Sequence, residues 1–199
     1  MHNYYGRMTE QPRHVDLDAR QVRVLAHPLR ARLLGQLRLD GRATATKLAG
    51  VLGTNTGATS YHLRQLADAG LVIEEPGAGH GRERWWRVAN DVSSWRRGAY
   101  AGDENAAAAV DWLHTFGLNV LVDRVEAWHR AEENEPRQWR EASDFSEHVL
   151  SLTATGLRDL TAELDEVIER HRRTAAEAAE PDARQVLLYL YAVPRLAQS

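Results

Sequence analysis

KLAGVLGTNTGATSYHLRQLADAGLV (Lys47–Val72), continued by IEEPGAGHGRERWWRV (Ile73–Val88), is the stretch whose reading decides the fold. Ala45–Leu52 predicts a short helix with Leu48 and Leu52 inward, and Gly53 permits a sharp turn. Asn55 or Thr56 can cap the next helix by accepting a hydrogen bond from a free backbone N–H. Thr59, Leu63 and Leu66 stand at i, i+4 and i+7, so they share a core face, while Gly57, Ser60, Tyr61 and Arg64 project away from it. Gly70 ends that helix where a left-handed residue is tolerated, and Leu71, Val72 and Ile73 open a strand. Pro76, Gly77, Gly79 and Gly81 form a hairpin tip, and the returning strand carries Arg82, Arg84 and Arg87. Period-two alternation puts Arg82, Arg84 and Trp86 on one face, with Glu83, Trp85 and Arg87 on the other.

Upstream, Leu17–His27 predicts a short helix with Asp16 or Asp18 at its start. Pro28 suits the first turn of a second helix, because its missing N–H costs little there. Leu29, Leu33, Leu34 and Leu37 follow at helical spacing, and Asp40-Gly41 stops it. Arg42–Thr44 is short enough to be a small strand pairing with the hairpin.

Helix, tight turn, helix and basic hairpin in that order read as a winged helix-turn-helix, an arrangement that seats its second helix in the DNA major groove. Charge agrees: residues 1–100 carry 15 Arg and Lys against 9 Asp and Glu, a net of +6, whereas residues 101–199 carry 10 against 19, a net of −9. A basic front half suits an anionic partner. Wing arginines neutralise phosphate without base-specific geometry. Rival surroundings stay open for three side chains: a neighbouring helix for Tyr61, a structural hydrogen bond for His62, and an i, i+4 pair with Asp68 for Arg64.

Three segments, HPLRARLLGQL (His27–Leu37), SYHLRQLADAGLV (Ser60–Val72) and GRERWWRV (Gly81–Val88), carry a family likeness. Over about residues 17–90 the chain resembles ArsR-type winged-helix transcriptional regulators, more narrowly those of actinobacteria that lack thiolate metal sites. The resemblance implies a homodimer on a pseudo-palindromic double-stranded operator, usually a repressor released by a signal. The family's S-x-H-L motif falls on Ser60, His62 and Leu63, implying DNA contact for Ser60 and often His62. Its polar residues at the helix start fall on Asn55 and Thr56, and its wing arginine on Arg82 or Arg84. One departure stands out: Gly57 and Ala58 offer few base-reading groups, so direct readout leans on Thr56, Ser60, Tyr61 and Arg64, with wing shape readout beside it. The expected DNA-binding set is therefore Asn55, Thr56, Ser60, Tyr61, His62, Arg64, Arg82 and Arg84.

Behind this, Asp103-Glu104 opens a long helix running to about Glu133, with Val110, Leu113, Gly117, Leu121, Val125 and Trp128 in one stripe broad enough for a dimer interface. Glu147–Leu152 and Gln185–Tyr191 predict two paired strands around a helix to about Thr174. The expected fold class is mainly α with small β: a winged helix-turn-helix domain plus a C-terminal helical or α+β dimerisation region. Its expected divisions are a disordered N-terminal extension over 1–16, the DNA-binding domain over 17–90, a hinge over 91–103, and a C-terminal dimerisation region, a candidate effector region too, over 104–199.

The chain has no cysteine, which excludes disulfides and thiolate metal sites. The residues Asp111/His114 and His129/Glu132 stand at i, i+3, but solvated helix faces explain them better than a metal. No metal and no cofactor are expected. Nothing at Met1–Val15 reads as a secretory signal and no apolar run spans a bilayer, so a cytoplasmic protein without membrane contact is expected, with Met8 an alternative start. No catalytic constellation stands out, so no enzyme is expected. Trp112, Phe116, Trp128, Trp139 and Phe145 are candidates to line a site for a small organic effector. Two other readings remain beside DNA-binding: a winged-helix protein-interaction module, and a metabolite-sensing C-terminal domain tethered to DNA.

Overall fold

The structure, a computed structural model, describes residues 14–75, 83–90, 92–95, 97–178 and 180–196. The chain divides into two compact units at Asn119 and Val120. In the first, the order is β1 (His14–Asp16), α1 (Ala19–Leu25), α2 (Pro28–Asp40), β2 (Ala43–Thr44), α3 (Ala45–Leu52), α4 (Thr56–Asp68), β3 (Val72–Glu75), β4 (Trp85–Val88) and β5 (Val92–Ser94). A 3₁₀ turn at Arg97–Tyr100 then leads into α5 (Glu104–Ala131).

In this unit each of α1 to α5 starts on a side chain that takes an orphan N–H. Asp18 and Gln21 form a reciprocal capping box on α1 at 2.8 and 3.0 Å, which settles Asp18 over Asp16. Thr44 caps α3, Asn55 caps α4 and Asp103 caps α5. Gly53 and Gly70 both have positive φ, 63° and 71°, at the turn after α3 and the stop after α4. β4 is the middle strand of an antiparallel sheet, pairing β3 through Ile73 with Arg87 and β2 through Ala43 with Trp86. The expected strand at Arg42–Thr44 is thus present and joins the wing.

Val22, Leu33, Leu37, Leu48, Leu63, Leu66 and Val72 close the core, all fully buried, with Thr59 beside them. At about 25 cal/mol per Å² of apolar surface, this cluster is the main term holding α4 in place. Polar contacts add direction. Arg20 and Gln21 of α1 donate to the carbonyls of Asp68 and Ala69, and Arg32 of α2 donates to the carbonyl of Leu52. Carbonyls at the ends of α4 and α3 are satisfied by these neighbours.

The stretches expected as extension and hinge differ from expectation. Residues 14–16 form β1, which pairs in parallel with β5 inside the expected hinge, His14 opposite Val92 and Asp16 opposite Ser94. Tyr100 is buried there and donates to the carbonyl of Leu17 at 2.6 Å. Two three-residue strands so far apart in the chain carry no local signal, because only their mutual hydrogen bonds define them. The start of the long helix packs into this unit: Ala106, Ala109, Val110 and Leu113 are buried in its core.

The second unit holds the remainder of α5, a 3₁₀ turn at Glu132–Asn134, α6 (Arg137–Ala142) and α7 (Ala154–Ala178). The strands expected at Glu147–Leu152 and Gln185–Tyr191 are not formed; both segments lack regular secondary structure. A strand exists only through a ladder partner, and the C-terminal segment is held by side chains instead. Arg184 pairs with Glu135 at 2.6 Å and lies over the Trp139 ring, and Arg124 donates to the Tyr189 hydroxyl. The back region is therefore helical with extended connections rather than α+β.

Candidate nucleic-acid interface

The recognition helix is assembled by its cap. Asn55 Oδ1 accepts from Ala58 N–H at 2.8 Å, so Asn55, not Thr56, is the capping residue. Gly57 keeps the cap open: a Cβ there would stand 3.3 Å from Asn55 Oδ1. Thr59 is sealed in the core, its hydroxyl donating to the Asn55 carbonyl at 3.0 Å. Leu63 and Leu66 are fully buried, as the spacing predicts. The opposite side of the same helix is left for Thr56, Ser60 and Arg64.

Those three side chains border a groove of about 270 Å³. Thr44, Ala45 and Thr46 at the start of α3 form one wall, and Glu83, Arg84 and Trp86 of the wing form the other. The sheet sets this geometry, since β4 pairs β2 directly beside the start of α3. Trp86 is buried and floors the groove, and Arg84 is exposed with an ion pair to Glu74 at 3.5 Å. On the other face of the sheet, Arg42 lies over the Trp85 ring, and Arg87 pairs with Glu75 at 2.6 Å. Alternation thus separates a basic groove residue, Arg84, from a structural one, Arg87.

Of the eight expected residues, Thr56, Ser60, Arg64 and Arg84 come together at the groove. Arg64 is exposed, and among the described residues it forms no ion pair with Asp68. Tyr61 stands 55% exposed, with its ring edge-on to His62 at 5.2 Å. Asn55 is committed to the cap. His62 turns away from the groove onto α2, where its ring meets His27 with centroids 4.5 Å apart. Arg82 lies outside the described residues, as does the glycine-rich tip. Sequence reasoning missed Thr44 and Thr46 as groove walls; the Thr44 cap position was the only signal for them.

Elsewhere, other expectations meet specific partners. Asp111, weighed as a metal-ligand candidate, is bound by Arg97 at 2.8 and 3.2 Å, which holds its carboxyl below the usual carboxylate range. His114 stacks on Trp95. Trp112 stacks on Phe116, while Phe145 stands 91% exposed. Among the described residues, no helix is long and apolar enough to cross a membrane.

Part of the chain is similar to known proteins. Residues 25–75 match a helix-turn-helix domain family. A solved structure of a possible transcriptional regulator for arsenical resistance is 31% identical over 54% of this chain and 93% of its own, with a TM-score of 0.31. A homodimeric winged helix-turn-helix DNA-binding domain from Mycobacterium bovis, described as a possible ArsR-family transcriptional regulator, is 22% identical over 60% of this chain and 86% of its own, with a TM-score of 0.32. No curated protein matches the chain. The matched segment makes residues 25–75, which hold α2, α3 and α4, a helix-turn-helix domain.

Proposed function

We propose that the protein is a homodimeric, sequence-specific, double-stranded DNA-binding repressor of transcription that works in the cytoplasm. Residues 55–69 enter the major groove, and the wing over 75–88 lies on the backbone or in the minor groove. One observation carries the reading: Thr56, Ser60 and Arg64 of α4 face the same groove as Arg84 of the wing. Hydroxyl and guanidinium groups there can read base edges, and Arg84 can neutralise a phosphate. Asn55, Tyr61, His62 and Arg82 are supporting members, with Asn55 and His62 shaping the helix more than touching the bases.

A homodimer fits the second unit. Val149, Val186 and Val193 are largely exposed, and α7 is amphipathic with no residue buried, so this unit leaves apolar surface that a second copy would cover. The relative from Mycobacterium bovis is homodimeric. Two-fold pairing would set two α4 helices about 34–36 Å apart and require a pseudo-palindromic operator. A small organic effector that releases the operator completes the reading.

Selection of bound sequences from a random duplex pool tests it. The expected result is an enriched motif with two-fold symmetry and salt-sensitive retention. Absence of both enrichment and salt-sensitive binding sinks the reading in favour of a protein-interaction module.

A further inference from the structure

Beside the groove, the recognition helix rests on α2 through two histidines. His27 is the N-cap of α2: its Nδ1 accepts from Leu29 N–H at 3.2 Å, which requires the ring proton on Nε2. The His62 ring packs on it at 4.5 Å and 35°. Tyr61 meets the far side of His62 edge-on at 5.2 Å. His62 Nδ1 is buried with no hydrogen-bond partner among the described residues, and so is Nε of Arg30, one turn into α2. The titratable and charged groups facing the pair are Arg30 from α2 and Tyr61 from α4, besides the two rings themselves. Burial and then Arg30 hold His27 below the ordinary histidine range. Burial, then His27 and Arg30, do the same to His62.

We propose that His27 and His62 form a proton-sensitive clasp that seats α4 on α2, so that the protein loses operator selectivity on acidification. The proposal rests on the reading of α4 as the recognition helix. A proton arriving from solvent at His27 Nδ1 removes the acceptor that caps α2, because an imidazolium has two donors and no acceptor. It also sets a positive charge at a helix N-terminus, where the dipole is already positive, and beside Arg30. A proton on His62 Nδ1 adds charge to the same half-buried cluster. Both steps oppose the packed arrangement, and α4 carries Ser60 and Arg64 with it.

The sign follows from the lowered values in the clasped state. Above the ordinary histidine range both rings are neutral and the clasp is fully present. As pH falls through that range, the opened state binds protons that the clasped state refuses, and the clasp weakens until the lowered values are passed. Each unit of difference per ring shifts the equilibrium about tenfold.

Two measurements on the full-length protein test this. The first follows the imidazole C2–H resonances against pH, assigned with His27→Ser, which keeps a capping oxygen without a titrating ring, and with His62→Asn. Both rings are expected to titrate below the ordinary value of about 6.5; titration at or above it overturns the clasp. The second measures affinity for a selected duplex and for a random duplex at about pH 7.5 and about pH 5.5 at constant ionic strength. The ratio of the two affinities should fall severalfold in the wild type and hold within about twofold in the double variant. A ratio independent of pH in the wild type, or an equal fall in the double variant, overturns the proposal. If no duplex is preferred even at about pH 7.5, the DNA reading itself has failed. The imidazole titration, which needs no DNA, still decides the clasp.

Discussion

The Tyr100 hydroxyl donates a 2.6 Å hydrogen bond to the carbonyl of Leu17, 83 residues earlier. Both groups are buried, and burial holds the Tyr100 phenol above its ordinary pKa, with Asp16 and Asp18 adding to the effect. This bond ties the segment before α5 to the entry of α1.

Tyr100→Phe should therefore lower unfolding free energy by about 1–3 kcal/mol, because the Leu17 carbonyl is left buried and unpaired. Urea denaturation should show a lower midpoint with an unchanged slope. The raised pKa adds a pH dependence: the contribution is complete below the ordinary tyrosine range and is lost as pH rises through the folded value. Wild-type stability should fall in strongly alkaline buffer more steeply than that of Tyr100→Phe.

Asn55 separates capping from DNA contact. Asn55→Ala should cost about 1 kcal/mol, since Ala58 N–H loses its acceptor. Asn55→Asp keeps the cap and places a negative charge at the end of α4. Its thermal midpoint should match the wild type while its affinity for every duplex falls. Equal affinity in Asn55→Asp and wild type would remove the α4 N-terminus from the interface.

Leu63 and Tyr61 sit two residues apart on one helix and should behave oppositely. Leu63 is fully buried, so Leu63→Ala should destabilise by about 2–5 kcal/mol through transfer and cavity terms. Tyr61 is 55% exposed, so Tyr61→Ala should leave stability within about 0.5 kcal/mol. Duplex affinity of Tyr61→Ala should nevertheless drop. A stable variant with unchanged affinity would return Tyr61 to the solvated surface.

Arg84 and Arg64 should differ in kind. The Arg84 pair with Glu74 is exposed and adds little to stability. Arg84→Ala should weaken binding to all sequences alike and reduce the salt slope by about 1. Arg64→Ala or Ser60→Ala should change which bases are preferred, at about 1–3 kcal/mol per lost contact. If Arg84→Ala leaves both affinity and salt dependence untouched, the wing assignment is wrong.

The exposed apolar segments give an assembly test. Val149→Asp with Leu188→Asp places charge on side chains that already face solvent, so the fold should survive. Sedimentation should then report a monomer where the wild type is a dimer. A dimer that persists in this variant would place the interface elsewhere.

The elements over Pro28–Val88 were legible because each is marked locally. Pro28 opens α2, Thr59, Leu63 and Leu66 repeat at helical spacing, Gly53 and Gly70 stand where φ is positive, and Trp85 and Trp86 alternate across β4. The same local chemistry misled over Glu147–Leu152 and Gln185–Tyr191. Strand-forming residues state a preference, but a strand needs a second backbone, and Arg184 instead anchors this chain to Glu135 and Trp139.

For the site, periodicity told which side of α4 is buried and which is free, and so named Ser60 and Arg64, while the family resemblance added Thr56. It could not tell that Asn55 is spent on its own helix, or that His62 turns onto His27 from a helix over thirty residues upstream. Local sequence by itself determined the helix-turn-helix and its basic wing, because those depend on spacing, φ and residue chemistry within a few residues. Tertiary structure alone decided the β1–β5 pair, the Tyr100–Leu17 bond, the groove walled by Thr44 and Arg84, and the histidine pair beneath α4. Each of those requires two distant segments to meet, and the meeting is set by how the whole core closes.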